Sequence, residues 1–279
     1  MAIDRIAAPP ETAQERMQVE PLTANRTFIY HLMRRAMRFH SPITATILLD
    51  ITDTLARIER ERGLGRRVGL TALFIKATAQ VLHEHPRFNQ RLFHTFWGRP
   101  RLATFDEISC NTVVARESVA SGEGLLIPLV LRHVDRMSVD DIQAEIRRYK
   151  STPLGELEAV AQLNRISKLP RWLIPLLHWK FRRDPRFLIE KVGTYGVSAL
   201  PHRTSGVVSG YTPTTQTAFF PTAIQDQVIA IDGKPVVRTT LLCTVTADHF
   251  VIDGLDVQSM LATLKQLMEA PDELLGPEG

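Results

Sequence analysis

The 279-residue sequence predicts an α+β fold, in which helices pack on a sheet instead of alternating regularly with parallel strands. Strand-like and helical segments mix along the chain without the strict alternation that a doubly wound sheet requires. Hydrophobic residues make up 44% and charged residues 23%, ordinary values that exclude extensive disorder and collagen-like or coiled-coil rods. No run of about 18 apolar residues occurs, so the sequence predicts no membrane-spanning helix.

The N-terminal half contains helical patterns separated by one strand pattern. The predicted elements are an arm at 1–20, a helix at about 22–37, a strand at 43–51, a helix at 52–62 and a helix at 70–85. Thr52 or Asp53 is expected to cap the second of these helices, because short polar side chains accept hydrogen bonds from its first turn. Pro86 is expected to stop the third helix.

The C-terminal half contains more strand patterns. The predicted elements are strands at 108–115, 125–133 and 194–200, a helix at 138–150, a hairpin pairing 228–231 with 236–246, and a helix at 255–268. Ser138 is expected to cap the helix that follows it. The turn at 232–235, Asp-Gly-Lys-Pro, predicts the hairpin because Asp-Gly favours the tight turns that join antiparallel strands. We therefore divide the chain into an arm at 1–20 and a single domain at 21–279.

The net charge of +4 is concentrated in one segment. Residues 165–191 hold eight basic and two acidic side chains (8 − 2 = +6), so the rest of the chain sums to 4 − 6 = −2. A general nucleic-acid binder spreads positive charge over a face, so no nucleic-acid partner is expected. The segment 165–190, interpreted as an insertion, also contains Trp172 and Trp179. Two interpretations stay open: contact with a membrane surface, a long acyl chain or an acidic carrier protein, or packing on a neighbouring subunit.

The sequence contains two cysteines, Cys110 and Cys243. Both lie among β-branched and apolar residues, so they are predicted to be small buried strand residues, not a disulfide or a catalytic thiol. The N-terminus lacks the apolar core of a signal peptide, which predicts a cytoplasmic protein, with peripheral membrane contact through 165–190 as the alternative. No metal-ligand spacing, phosphate-binding glycine loop or nucleotide fingerprint is found, so no metal site is predicted.

The segment 244–254 carries the clearest chemical signal. A predicted strand ends in Asp248 and His249, and Asp253 and Gly254 follow just before the last predicted helix. A histidine at the end of a strand can be held by the backbone while its ring faces a cleft, which suits a general base. A histidine beside an aspartate is also commonly a structural residue, so spacing alone leaves both interpretations open.

Several motifs together resemble one enzyme family. Residues 248–254, Asp-His-Phe-Val-Ile-Asp-Gly, resemble the Asp-His-Arg-x-x-Asp-Gly signature of dihydrolipoamide acyltransferase catalytic domains from 2-oxo acid dehydrogenase complexes. They also resemble the His-x-x-x-Asp-Gly of the related chloramphenicol acetyltransferases. Further matching segments are Val-Ser-Ala-Leu-Pro at 197–201, Lys-Ala-Thr-Ala at 76–79, His-Glu-His-Pro-Arg-Phe-Asn at 83–89 and Asp-Gly-Lys-Pro-Val-Val-Arg at 232–238. The resemblance covers about residues 20–275.

This resemblance implies a chloramphenicol acetyltransferase-like fold, with a mixed sheet flanked by helices and an active site at a trimer interface. It implies an acyltransferase in which His249 is the general base and the hydroxyl of Ser198 stabilises the oxyanion. Asp253 is the third residue expected at the catalytic site, where an ion pair with Arg26 would hold the loop. The resemblance also implies that His249 and Ser198 of one site come from different chains.

The expected reaction moves an acyl group from a thioester, acyl-CoA or carrier-bound, to a thiol, hydroxyl or amine. Phe250 replaces the arginine of the family signature, and no Asp-Lys-Ala lipoylation motif occurs. We therefore expect coenzyme A as a substrate, no covalent cofactor, and an acyl-carrier or lipoyl-domain protein as the source of any carried acyl group. A homotrimer is expected in preference to an oligomer of trimers, because the apolar end at 274–275 is short. The alternative is a non-catalytic oligomeric scaffold that keeps the fold and organises partner enzymes.

Overall fold

The structure is a computed structural model that describes residues 30, 31, 34, 40–117, 124–167, 170, 172–198, 202, 203, 210 and 215–276. The predicted arm at 1–20, Arg26 and most of the predicted helix at 22–37 lie outside these residues. The segments on which the site depends, around Ser198 and His249, lie within them.

The described residues form a set of short helices and nine strands. The strands are β1 (Pro42–Asp50), β2 (Gln90–His94), β3 (Pro100–Thr104), β4 (Cys110–Glu117), β5 (Gly124–Leu131), β6 (Tyr195–Val197), β7 (His202–Arg203), β8 (Thr217–Ile231) and β9 (Lys234–Asp248). The helices are α1 (Thr52–Gly63), α2 (Leu70–Glu84), α3 (Val139–Ser151), α4 (Glu158–Ser167), α5 (Leu173–Arg183), α6 (Pro185–Val192), α7 (Gly254–Glu269) and α8 (Asp272–Leu275). Single 3-10 turns occupy Pro86–Asn89 and Leu154–Glu156.

Seven of the described strands form one mixed sheet. Their order is β1-β9-β8-β6-β4-β5, and β7 pairs with β8. β6 runs parallel to both β4 and β8, whereas β1–β9, β8–β9 and β4–β5 are antiparallel pairs. β2 and β3 form a separate antiparallel hairpin. The sheet places the ends of β6 and β9, which lead to Ser198 and His249, on either side of β8.

Helix α2 anchors the centre of this sheet. Its sequence is apolar on nearly every side, and it packs against α3 and α7. The ring of Phe74 lies edge-on to that of Phe219 on β8, with centroids 6.4 Å apart, and Tyr195 on β6 lies edge-on to Phe219 at 6.1 Å. The buried Tyr195 hydroxyl satisfies its hydrogen-bonding capacity on α2, at Thr78 Oγ1 (3.2 Å) and the Ile75 carbonyl (3.3 Å). These contacts fix the short strand β6 to the core.

Most predicted elements are confirmed, with bounds shifted by a few residues. Ser138 caps α3 in a reciprocal capping box with Asp141, as the sequence predicts. The turn between β8 and β9 consists of Asp232 and Gly233, both with positive φ (49° and 74°), the geometry that suits a two-residue hairpin. The hairpin is much longer than predicted, since β8 begins at Thr217.

The predicted cap of α1 is wrong. Thr52 and Asp53 lie inside the helix, and Ile51 occupies the cap position without a side-chain hydrogen bond. The Thr52 hydroxyl donates instead to Asp50 Oδ1 at 2.7 Å. Asp50 and Asp53 both bind Arg238 of β9 (2.6 Å each). Asp50 thus ties the end of β1, and Asp53 ties α1, to the hairpin.

The basic segment and the cysteines have clear places in the fold. Residues 165–190 contain the end of α4, all of α5 and most of α6. Among the described residues, no helix has the length and apolar content needed to cross a bilayer.

Cys110 and Cys243 are free and fully buried, which confirms their prediction as strand residues. Burial raises the pKa of each thiol to about 12.

Candidate active site

The turn that follows β9 carries His249. The Asp248 carbonyl accepts hydrogen bonds from the backbone N–H groups of Val251 (3.0 Å) and Ile252 (3.1 Å), which closes the turn. The N–H of His249 donates to the carbonyl of Ser41, just before β1, at 2.6 Å. The side chain of Ile252 is buried in the core. The backbone of His249 is therefore held from both sides while its side chain remains exposed.

The imidazole of His249 is held in one tautomer by the backbone. Its Nδ1 lies 2.9 Å from the carbonyl oxygen of Ile252. A carbonyl oxygen only accepts hydrogen bonds, so Nδ1 carries the proton and Nε2 keeps its lone pair in the neutral ring. Nε2 is the atom that can take a proton from a substrate. The same carbonyl stabilises the imidazolium that would then form.

The neighbouring Asp248 braces the turn and does not bind the His249 ring. Its Oδ1 accepts from the backbone N–H groups of Ser41 (3.2 Å) and Phe250 (3.1 Å), and its Oδ2 lies 2.8 Å from His40 Nδ1. Burial opposes ionisation of the carboxyl, but the bonds to His40, Phe250 and Ser41 outweigh it and hold the pKa of Asp248 below its usual range. The ionised carboxylate thus joins the start of β1 to the His249 turn.

Asp253 begins the helix after the turn. Its side chain accepts from the Asp256 backbone and caps α7 in a capping box. Its predicted partner, Arg26, lies outside the described residues, so the ion pair stays a prediction. Arg87, in the segment 83–89, also holds this turn: it binds Asp256 (2.8 Å) and donates to the Val251 carbonyl (3.2 Å).

Ser198 and His249 of one chain are far apart. The Ser198 N–H donates to the Phe219 carbonyl at 2.9 Å, so Ser198 follows β6 at the level of Phe220 on β8. The Asp248 N–H donates to the Gln216 carbonyl at 3.1 Å, which sets His249 at the level of Thr215. Two strand spacings and five residues separate these positions, about 19 Å on standard sheet dimensions. One chain therefore does not bring the predicted base and oxyanion donor together.

A small open cavity lies beside the His249 turn, lined by His40, Thr215, Gln216, Thr246 and Asp248 among others. Gln216 is buried, and its Oε1 accepts from the Leu92 N–H at 2.8 Å. Its Nε2 has no hydrogen-bond partner among the described residues. The cavity has room for about one water molecule, which is the natural partner for such a group. Gln216 thus links the β2–β3 hairpin to the strand next to His249.

Three of these residues, His40, Arg87 and Gln216, have roles that were not predicted from the sequence. Arg87 lies in a segment that resembles the family, so the sequence indicates the segment but not the role of this side chain. His40 and Gln216 act through the antiparallel register that sets Pro42 opposite Asp248 and Thr217 opposite Ala247. Only that long-range pairing brings them to the turn, and no local pattern indicates it.

Solved structures show that this fold is a known one. The chain matches the cubic core of the pyruvate dehydrogenase multienzyme complex with a TM-score of 0.67, at 18% identity, covering 98% of this chain and 100% of that one. The dihydrolipoamide acetyltransferase of Azotobacter vinelandii gives a TM-score of 0.66 at 18% identity, with the same coverage. The predicted α+β fold with a mixed sheet is confirmed, and it is the fold of dihydrolipoamide acyltransferase cores.

Sequence comparison gives the family. The family described as 2-oxoacid dehydrogenases acyltransferase (catalytic domain) matches residues 14–154 and 217–276, well over half of the chain. The chain therefore belongs to this family, and the predicted resemblance is confirmed. The matched residues include His249 and Asp253. The stretch between the two matched segments is not matched, and it contains α4, α5, α6 and Ser198.

Individual relatives are distant. The dihydrolipoyllysine-residue succinyltransferase of Bartonella vinsonii subsp. berkhoffii is 24% identical over 274 residues, covering 95% of this chain and 56% of the relative. The chloroplastic dihydrolipoyllysine-residue acetyltransferase component 5 of Arabidopsis thaliana is 29% identical over 234 residues, covering 82% and 41%. The chain spans about half the length of the curated relatives it matches.

Proposed function

We propose that this domain transfers an acyl group between the thiol of coenzyme A and a second thiol of the dihydrolipoyl type. The observation that carries the proposal is the fixed tautomer of His249, whose Nδ1 is held by the Ile252 carbonyl while the side chain is exposed. This is the arrangement a general base needs. The names of the relatives, which specify transfer at a dihydrolipoyllysine residue, support the second thiol as acceptor or donor.

The proposed chemistry begins with proton transfer. Nε2 of His249 takes the proton of the attacking thiol, and the resulting thiolate adds to the thioester carbonyl to form a tetrahedral oxyanion. The hydroxyl of Ser198 donates a hydrogen bond to that oxyanion, an interaction worth about 3 kcal/mol in comparable sites. The intermediate then breaks the carbon–sulfur bond of the original thioester, and the departing thiolate takes the proton from the imidazolium. No net proton or electron is lost.

We place Ser198 in this site as a contribution from a second copy of the chain, which supports a homotrimer with a site at each interface. The in-chain distance of about 19 Å between the two residues supports a second copy of the chain as the source of the hydroxyl. The Azotobacter structure was determined to investigate a serine, a histidine and an asparagine in catalysis, with the serine 52 positions before the histidine and the asparagine four after it. Ser198 and Asp253 stand 51 positions before and four after His249.

Complementation between two inactive variants tests the proposal. His249→Ala and Ser198→Ala are each expected to lower the rate of acyl transfer from acyl-CoA to dihydrolipoamide by about 100-fold or more. If the chains are unfolded together at equal amounts and refolded, each mixed trimer regains one complete site, which restores about a quarter of the wild-type activity under C3 symmetry. Refolding each variant alone is the control.

Two outcomes would contradict the proposal. Absence of recovery in the mixture, with mixed trimers confirmed by native mass spectrometry, would mean that the sites are not shared between chains. Equal rates for the wild type and His249→Ala would remove histidine catalysis, and rates equal to that of the uncatalysed reaction would favour the non-catalytic scaffold. The proposal includes a reducing cytoplasmic setting, which two free buried cysteines support.

A further inference from the structure

The three tryptophans of this sequence lie on the surface, and they are grouped with two other exposed apolar residues. Trp97 is 84% exposed and Trp172 is 72% exposed, values far from those of core tryptophans. We call this group the tryptophan surface; its members are Phe96, Trp97, Trp172, Leu176 and Trp179. Contiguous exposed apolar residues of this size are typical of interaction sites.

Two separate elements form the tryptophan surface. Trp172, Leu176 and Trp179 precede or lie on α5 at spacings of four and three residues, so they form one stripe along the helix. Phe96 and Trp97 form the turn between β2 and β3. Arg183 joins the two, since its guanidinium lies 5.0 Å from the centre of the Phe96 ring and 4.5 Å from that of Trp179. The helix and the hairpin therefore present a continuous surface.

The elements that carry this surface are basic. The segment 172–192, which contains α5 and the adjoining α6, holds five cationic and two acidic side chains (5 − 2 = +3). The hairpin 90–104 holds three arginines and no acidic residue. Burial and the charges of Arg182 and Arg183 lower the pKa of His94 on the same hairpin, as a positive local potential would. The rest of the chain outside 165–191 sums to −2. Charge complementarity therefore favours an acidic occupant over a second basic surface of the same kind.

The hairpin connects the tryptophan surface to the candidate active site. The Leu92 N–H binds Gln216, whose carbonyl accepts from the Asp248 N–H next to His249. The tip at Trp97 lies five residues beyond Leu92, at most about 16 Å away at the rise of an extended strand. A partner bound at the tip would thus be close enough to His249 for a flexible side chain or linker to span the distance. The α5 part of the surface lies between the two segments that match the family, outside the matched residues.

We propose that the tryptophan surface docks an acidic protein domain that presents the acyl-bearing thiol to the site on a flexible arm. The aromatic side chains supply the buried contact, and the surrounding lysines and arginines orient the domain and speed its encounter. This inference rests on the proposed function, because it names the macromolecule that delivers the second thiol. It gives the tryptophan surface and the basic charge of 165–191 one common role.

The experiment compares a carried thiol with a free one, using the full chain. The first variant, Trp97→Ser with Trp172→Ser, removes exposed rings. The second, Arg99→Glu with Arg186→Glu and Lys191→Glu, reverses three exposed charges, one in the hairpin turn and two on α6, the helix that follows α5. The matched control makes the same charge change on other elements: Arg67→Glu, Lys150→Glu and Lys234→Glu, all exposed. The probes are an acidic lipoyl-lysine domain from a succinyltransferase relative, in its reduced form, and free dihydrolipoamide.

We expect kcat/KM with the lipoyl domain to fall by about tenfold or more in both surface variants, through KM, while kcat/KM with free dihydrolipoamide stays unchanged. The control variant should change the domain reaction by less than about threefold. Added salt should weaken the domain reaction of the wild type and should affect the charge-reversed variant less.

Other outcomes overturn the inference. Equal loss in the control and surface variants would mean that overall charge, not this surface, recruits the domain. A drop in oligomer mass in the surface variants would assign the surface to a second copy of the chain. Binding of wild type, but not of the variants, to vesicles containing anionic phosphatidylserine, without binding to the domain, would assign it to a membrane. If the wild type fails to use free dihydrolipoamide, the proposed function fails, and titration of the unacylated domain still tests docking.

Discussion

Replacement of Asp248 should separate the support of the His249 turn from the chemistry of the ring. In Asp248→Ala, the backbone N–H groups of Ser41 and Phe250 and the Nδ1 of His40 all lose the carboxylate that binds them. Each donor left without its partner costs about 1–3 kcal/mol when it is buried. The three donors are partly buried, so we expect the free energy of unfolding of Asp248→Ala to be lower than that of the wild type by about 3–5 kcal/mol in total.

Asp248→Asn should be much milder. The amide oxygen can keep both backbone bonds now made by Oδ1, and His40 can accept from the amide nitrogen in its other tautomer. Only the charge is lost, and a hydrogen bond to a neutral group is about 1–2 kcal/mol weaker than one to a charged group. Catalysis should follow the same order: a shift of the turn by about 1 Å in Asp248→Ala would lower kcat by roughly 100-fold, and Asp248→Asn should retain most of its rate.

Urea unfolding and acyl transfer to dihydrolipoamide, measured across pH, check this reasoning. Because the pKa of Asp248 is lower in the folded chain than in the unfolded one, the carboxylate stabilises the fold above its ordinary pKa of about 3.9. That contribution is lost as the pH falls through the lower folded pKa, so wild type and Asp248→Asn should converge in acid. Wild-type stability and kcat in Asp248→Ala would refute the bracing role.

Three further results are expected. Arg87→Ala should lower kcat by several-fold with less than about 1 kcal/mol of lost stability, because its ion pair is exposed; Arg87→Lys should recover part of the rate, and an unchanged rate would show that Arg87 does not hold the turn. Gly193→Ala should destabilise the protein by about 1–3 kcal/mol in thermal unfolding, since φ is +68° and a Cβ would lie 2.6 Å from a carbonyl oxygen. Gly155→Ala, which meets nothing within 4 Å, is its control and should be neutral. Cys110 and Cys243 should resist a thiol reagent at pH 8 until guanidinium exposes both.

Local patterns predicted the elements that are fixed locally. The Ser138 cap, the apolar helix at 70–85 and the Asp-Gly turn depend on neighbouring residues, and the structure places all three close to the predicted positions. The β2–β3 hairpin was missed because its strands hold few β-branched residues and its turn exposes two large aromatic residues. The early half of β8 was missed because a threonine- and proline-containing stretch becomes a strand only through its pairing with β9.

The candidate site was predictable only in part for the same reason. His249 and Asp253 belong to one short motif, so the sequence contains their relation. The support from His40 depends on the pairing of β1 with β9, because His40 and Asp248 are 208 positions apart in the sequence. The link through Gln216 depends on the pairing of β8 with β9, which sets Thr217 opposite Ala247. The distance between Ser198 and His249 depends on the order β9-β8-β6, which the sequence does not reveal.

The distance between Ser198 and His249 of one chain also determines how activity would respond when inactive subunits are mixed with active ones. In the proposed shared site, an inactive copy lacking only His249 removes one site per copy, so activity falls in proportion to its share of the subunit pool. A copy lacking both His249 and Ser198 spoils two of the three sites of its trimer, and activity then falls with the square of the intact fraction. Extreme dilution would likewise silence undamaged chains, because a separated subunit holds two incomplete halves of different sites.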